Sequence, residues 1–156
     1  MKNLSIWKKV DDETLEMLKK QKAFEDETAK RLTPFYNSLK NPLVKSLIHR
    51  IILDTTKHSV MYQTLLDIND RVLVGDIDKN RMTEELSTHI QEETKMLNKA
   101  VEISKSVKDE NFMKLIERII EDERLHHKIL NELFEIIKKE GEDWNSYFLE
   151  IMKDFP

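Results

Sequence analysis

The sequence predicts an all-α protein, in which two helical hairpins form an antiparallel four-helix bundle and a short helix follows at the C-terminus. Only 2 glycines and 3 prolines interrupt the 156 residues, so long stretches consist of helix-forming residues. Apolar residues recur at spacings of three and four, which place them on one helix face. The second half of the chain also repeats the first: residues 50–58 read RIILDTTKH and residues 118–126 read RIIEDERLH, an offset of 68 positions.

The four long helices are predicted at about residues 12–39, 42–68, 83–106 and 109–140, and the short fifth helix at about 142–155. The first break falls at Asn41-Pro42, because the residue before proline avoids the helical region. The stretch DINDRVLVGDIDKNR is predicted as a connector because it carries Gly and repeated Asp and Asn. It is long enough to cross the bundle between the hairpins. We therefore expect residues 1–156 to form a single domain.

The composition argues against several classes of function. The net charge is −4 with both signs mixed, which does not favour a nucleic-acid partner. No apolar run approaches the length of about 20 residues that spans a bilayer, and the N-terminus lacks the apolar segment of a signal peptide. Cysteine is absent, which excludes disulfides, thiol nucleophiles and Cys-ligated metal centres. We expect a cytoplasmic protein without a membrane or nucleic-acid partner.

Ionisable residues interrupt the apolar face of every long helix, at about the same height in the bundle. Glu and Asp are rarely buried unless they are paired or bind a metal. These residues therefore predict a polar layer inside the bundle. They are Glu25 on the first helix, Asp54 and His58 on the second, His89 and Glu93 on the third, and Asp122, Glu123 and His126 on the fourth.

The spacing of these residues indicates a metal site. Glu123 and His126 are three positions apart, so both side chains reach one ion from the same helix face. Carboxylate oxygen with imidazole nitrogen suits Fe(II), Mn(II) or Zn(II). Asp54 and Asp122 each stand four positions before a histidine, and we predict that they accept the ring N–H of a ligating histidine and orient it.

This set of residues resembles that of the ferritin-like superfamily of di-iron carboxylate proteins, especially rubrerythrin-like and small archaeal ferritin-like members. Those proteins carry a single Glu on helices 1 and 3 and a Glu-x-x-His on helices 2 and 4. Glu25, Glu93 and the Glu123/His126 pair match, and the resemblance covers about residues 12–140. Thr55 departs from it, because it stands where the second helix would carry a glutamate.

His89 lies four positions before Glu93, and we consider it as a substitute for the missing carboxylate. The predicted ligand set leaves two alternatives open, an asymmetric di-metal centre and a single-metal centre. Tyr62 is one turn beyond His58 and is either near the site or an ordinary core residue. The predicted metal ligands are Glu25, His58, His89, Glu93, Glu123 and His126, with Asp54, Thr55, Asp122 and Tyr62 around them.

The resemblance implies a di-iron oxidoreductase of the peroxidase or ferroxidase type, which acts on oxygen, hydrogen peroxide or ferrous iron. Two iron ions are the implied cofactors, and Mn or Zn also fits the donors. Because the chain has no cysteine, a separate electron donor would have to supply the electrons. Thr55 favours two other hypotheses, a metal-binding or storage protein without turnover, and a structural bundle with a vestigial site. The aromatic C-terminal segment predicts a homodimer contact.

Overall fold

The computed structural model describes residues 9–70, 78–139 and 144–155. Within these ranges the chain forms five helices and no strand, which confirms the all-α prediction. Helices α1 and α2 pack against each other as one compact unit, and α3, α4 and α5 form another, in which α4 contacts both α3 and α5. The helices are α1 (Asp12–Ser38), α2 (Pro42–Asn69), α3 (Lys79–Ser106), α4 (Glu110–Lys138) and α5 (Trp144–Asp154).

A single aspartate or asparagine side chain caps the start of each long helix and fixes where it begins. The Asn41 side chain accepts hydrogen bonds from two backbone N–H groups of α2, and Asp109 does the same for α4. Asp78 accepts from Arg81 N, and α3 therefore begins at Lys79, four residues before the predicted start. Residues 71–77 of the predicted connector lie outside the described part of the chain. The single-domain organisation stays a prediction.

The α1–α2 interface runs along one edge of the apolar face of α2. Thr55, Ser59 and Leu66 are buried there, with exposed fractions of 6–9%. These residues follow spacings of four and seven, which is the pattern of a narrow seam between two helices. The residues Val44, Leu47 and Ile51 lie outside this seam and are exposed.

The α3–α4 interface uses the corresponding positions of the second repeat. Leu86, Glu93 and Ala100 are buried on α3, seven residues apart. On α4, Ile120 and Ile137 are buried, and Ile120 stands 68 positions after the half-buried Ile52 of the first hairpin. The two hairpins therefore use equivalent positions in their seams, but the second buries them more deeply, including a glutamate that is almost fully buried.

Helix α5 covers another face of α4. Its Ile151 packs with Ile129 and Ile136 in a small apolar core. A helix of 11 residues is marginal in water by itself, so its position depends on this core. The partly buried residues around the core are Leu125, Leu133 and Phe148.

The internal repeat is also visible in a polar contact that crosses each hairpin. The Ser59 hydroxyl donates a hydrogen bond to the Asp26 carboxylate in the first hairpin. The equivalent positions in the second hairpin are Thr94 and His127, and their side chains also form a hydrogen bond, with 3.1 Å between Thr94 Oγ1 and His127 Nε2. The same two helix positions thus contact each other in both hairpins, which shows that the two hairpins have the same helix register.

Each hairpin also exposes an apolar row at equivalent positions. The row is Val44, Leu47 and Ile51 on α2, and Phe112, Leu115 and Ile119 on α4, with exposed fractions of 41–65%. Exposed apolar rows of this kind mark interaction surfaces. None of the helices in the described ranges carries an apolar stretch long enough to cross a bilayer.

Ile137 is the residue whose replacement we expect to destabilise the second unit most clearly. Its side chain is fully buried, so Ile137→Ala removes apolar contacts and leaves a cavity. We expect the free energy of unfolding to fall by about 2 to 5 kcal/mol, measured by urea denaturation followed by circular dichroism. Ile103→Ala is the matched control, because Ile103 is 44% exposed. Equal losses in the two variants would contradict this packing.

Candidate metal site

Glu93 is the most deeply buried ionisable residue in the described part of the chain. It lies in the α3–α4 seam between Leu86 and Ala100, and only 5% of its surface is exposed. The same seven-residue spacing that buries its apolar neighbours also buries its carboxylate. A buried carboxylate costs free energy unless a cation, a proton or hydrogen bonds compensate its charge.

Two residues of α4 approach Glu93 from the other side of the seam. One ligand atom from each of Glu93, Glu123 and His126 can be chosen so that all three atoms lie within 4.8 Å of one another. The spacing of three residues on α4 puts Glu123 and His126 on the same face, and the hairpin brings Glu93 to them. This geometry permits all three side chains to bind one ion.

The carboxylates of this group have unused acceptor atoms. Among the described residues, neither Oε2 of Glu93 nor Oε2 of Glu123 has a hydrogen-bond partner, and both atoms are buried. Buried polar atoms are nearly always paired in native proteins. Two orphaned oxygens in one cluster therefore make the cluster a candidate site for a cation.

The electrostatics of the pair agree with this interpretation. A hydrogen bond with the Glu93 carboxyl group raises the pKa of Glu123 above its ordinary value of 4.5, and burial and repulsion by the Glu93 charge add to the effect. Two carboxylates this close do not ionise together without help. A divalent cation bound between the two carboxylates would compensate their mutual repulsion.

His89 lies beside this group on the exposed side of α3. Its Nε2 atom is 3.4 Å from Glu93 Oε1 and its Nδ1 atom is 3.2 Å from Glu92 Oε2. Half of the side chain is exposed. His89 thus contacts a member of the cluster, and its role as a ligand stays a prediction.

The first hairpin contains an incomplete copy of the same arrangement. His58 Nδ1 is 3.5 Å from Glu25 Oε1, and the equivalent atoms of His126 and Glu93 are 3.9 Å apart. Thr55 occupies the position of Glu123 and is 7% exposed. Each hairpin therefore contains one glutamate–histidine pair. The second hairpin adds a further glutamate, Glu123, where the first has Thr55. Tyr62 is half-buried one turn after His58.

Asp54 and Asp122 form ion pairs along their own helices. The Asp54 carboxylate accepts a hydrogen bond from Lys57 at 2.9 Å, and Lys57 holds the pKa of Asp54 below its ordinary value. Asp122 lies 2.8 Å from Arg118. Their predicted role in orienting the histidines stays a prediction.

Two neighbours of the site could not be assigned from the sequence. His127 accepts or donates a hydrogen bond with Thr94 and lies 3.2 Å from Asn131, so it ties α4 to α3 beside His126. The Phe155 ring stacks on the His126 ring. The helical spacing of the C-terminal segment places Phe155 on an apolar side, but that pattern does not say which residue it contacts.

Comparison of the chain with protein families, curated proteins and solved structures finds no match. Two carboxylates and one imidazole form a donor set of hard and borderline ligands, which suits divalent iron, manganese or zinc better than soft metals.

We expect the Glu93–Glu123 contact to make the metal-free protein less stable as pH rises. The pKa of Glu123 is higher in the folded protein, so the folded state keeps its proton longer than the unfolded state. The stabilisation that this proton provides is fully present below pH 4.5, the ordinary pKa of the glutamate side chain. It is lost as the pH rises through the pKa that Glu123 has in the folded protein. Unfolding free energies of wild type and Glu123→Gln, measured in chelator between pH 4 and 8, test this.

The difference between the two proteins isolates Glu123 from the other carboxylates. The amide of Glu123→Gln does not titrate, so wild type should lose more stability than the variant over this range. Parallel pH profiles would show that Glu123 is not perturbed. Because a bound cation favours the ionised form, metal affinity of the wild type should rise over the same range.

Proposed function

We propose that this protein binds a divalent metal ion through Glu93, Glu123 and His126, as a ferritin-like metal protein. The observation that carries the proposal is the pair of buried carboxylate oxygens without hydrogen-bond partners among the described residues, next to an imidazole. A metal ion compensates both carboxylates and uses the lone pair of the histidine. The alternative is a purely structural carboxyl pair that shares a proton, which does not require His126 at the cluster.

The ferritin-like part of this proposal is supported by the repeat. Both hairpins carry a glutamate–histidine pair at equivalent helix positions, and both expose an equivalent apolar row. A pseudo-symmetric bundle built from two such hairpins is the arrangement of ferritin-like proteins.

Iron and redox chemistry form the more specific part of the proposal. Three protein donors leave coordination positions open for water or a substrate, which a reactive metal centre requires. An iron centre of this kind would act on oxygen, hydrogen peroxide or ferrous iron, with a separate protein as electron donor. Glu25 and His58 are the further ligands that a second iron would need, and Thr55 makes that second position poorer in carboxylate.

The second candidate function is metal binding without turnover, with one ion for each chain. The composition of the first hairpin favours it, because Thr55 is buried where the second hairpin has Glu123. Without that carboxylate, the first hairpin offers two donors where the second offers three. Manganese and zinc fit this alternative as well as iron does.

Removal of either α4 ligand should weaken metal binding. We expect Glu123→Ala and His126→Ala each to lower the affinity for Fe(II), Mn(II) or Zn(II) by about 10- to 100-fold or more. Calorimetric titration and metal analysis under anaerobic conditions measure the effect. Glu121→Ala is the matched control, because this glutamate also lies on α4 but its side chain is 67% exposed and faces Arg118.

The same titration separates the functional alternatives. Two Fe(II) ions for each chain that oxidise rapidly when oxygen or peroxide is admitted would support the oxidoreductase. One tightly bound, unreactive ion would support the second candidate. If the wild type and both ligand variants bind no metal, the assignment of this site is wrong.

Thr55→Glu should complete the site of the first hairpin. The substitution places a carboxylate at the position equivalent to Glu123, next to Glu25 and His58, and so creates a third donor. We expect the metal stoichiometry to rise by one ion for each chain. Thr55→Val is the control, because it keeps the size of the side chain without adding a ligand. An unchanged stoichiometry in a variant with wild-type helix content would show that the first hairpin does not hold an ion.

A further inference from the structure

The ring of Phe155 contacts the candidate metal ligand His126. Phe155 directly follows the last residue of α5, and the two ring centroids are 5.9 Å apart with an interplanar angle of 23°. His126 therefore has the Glu93 carboxylate near its Nδ1 atom, at 3.9 Å, and an aromatic ring over its face. Two different elements, α3 and α5, thus restrict the same imidazole.

The position of Phe155 is fixed by the core that holds α5 on α4. Ile151, one turn before Phe155, is 9% exposed and packs with Ile129 and Ile136. Phe155 directly follows α5, and its backbone N–H donates a hydrogen bond to Met152 O at 3.4 Å, so the anchoring of α5 through Ile151 also fixes where Phe155 lies beside α4. The aromatic ring itself is 47% exposed, which means that it adds little to that core.

Phe155 also forms one wall of a cavity at the cluster. The cavity has a volume of about 240 Å³. Its polar side consists of candidate ligands and their neighbour His89, and its other side is apolar. The lining residues are His89, Glu93, His126, Ile129, Leu130 and Phe155. An ion or small ligand in this cavity would lie next to the Phe155 ring.

We propose that Phe155 is a positioning residue that holds the His126 ring in its ligating orientation and slows release of the metal. The inference rests on the proposed metal site. Stacking restricts rotation of the imidazole, so less entropy is lost when it binds the ion, and the ring also shields one side of the cavity from water. Helix α5 is then the element that controls how fast the metal enters and leaves.

The size of the effect follows from the contact that is lost. An aromatic pair contributes a factor of roughly 2 to 12 to an equilibrium constant beyond its buried area. We expect Phe155→Ala in the full chain to weaken Co(II) binding and to speed its release by a factor in this range. Phe155→Tyr keeps the ring and should behave as wild type. Met152→Ala is the control on α5, because Met152 is 44% exposed and does not line the cavity.

The experiment uses Co(II) as the probe and follows three readouts: the equilibrium affinity, the rate of transfer to a chelator in stopped flow, and the visible absorption of the bound ion. A residue with a merely structural role would change the thermal stability and leave the Co(II) spectrum unchanged. We expect Phe155→Ala to alter the spectrum, because the imidazole is no longer held at one angle, and Phe155→Tyr to restore it.

Failure of this inference is distinguishable from failure of the proposed function. If wild type binds Co(II) and Phe155→Ala shows the same spectrum and release rate, only the role of Phe155 is overturned. The same conclusion follows if Phe155→Tyr resembles Phe155→Ala, or if Met152→Ala has an equal effect. If wild type binds no Co(II), the metal site and the role of Phe155 are both overturned.

Discussion

The burial of the Glu93 carboxylate is the constraint on which the rest of the site depends. The α3–α4 seam places this side chain among apolar residues, where an isolated charge would be strongly unfavourable. Glu123 on α4 adds a second carboxylate to this region, and the contact with Glu93 raises the pKa of Glu123. A cation between the two carboxylates would relieve their mutual repulsion. His126, one turn further on α4, adds a neutral nitrogen donor, which a cation uses and a shared proton does not need.

The internal repeat shows where the two hairpins agree and where they differ. Equivalent positions meet across both seams, as the Asp26–Ser59 and Thr94–His127 contacts show. The helix geometry is therefore the same, and the difference lies in the side chains. Thr55 is buried in its seam at little electrostatic cost, whereas the half-buried Glu123 brings a second carboxylate to Glu93. The second hairpin thus concentrates the carboxylates, and with them the donor atoms of the candidate metal site.

The packing of the C-terminal helix α5 determines what lies beside His126 at the candidate metal site. Helix α5 is too short to be stable without the apolar core around Ile151. That core holds the end of the helix next to His126, so a small number of apolar contacts determines the surroundings of a candidate metal ligand. Outer contacts of this kind commonly tune metal affinity in proteins, because the orientation of a histidine ring affects its strength as a ligand.

The sequence by itself determined the helices, the hairpin repeat and the height of the polar residues, because three-four periodicity, Asx caps and the position of Pro42 are local signals. It also placed Glu93, Glu123 and His126 among six predicted ligands, since carboxylates on an apolar face are conspicuous, and the structure groups these three. The tertiary structure decided which edge of each wide apolar face forms the seam, and so buried Thr55 and left Val44 exposed. It also decided that the Phe155 ring stacks on the His126 ring. These outcomes depend on contacts between helices, and the periodicity of a single helix contains no information about its neighbours.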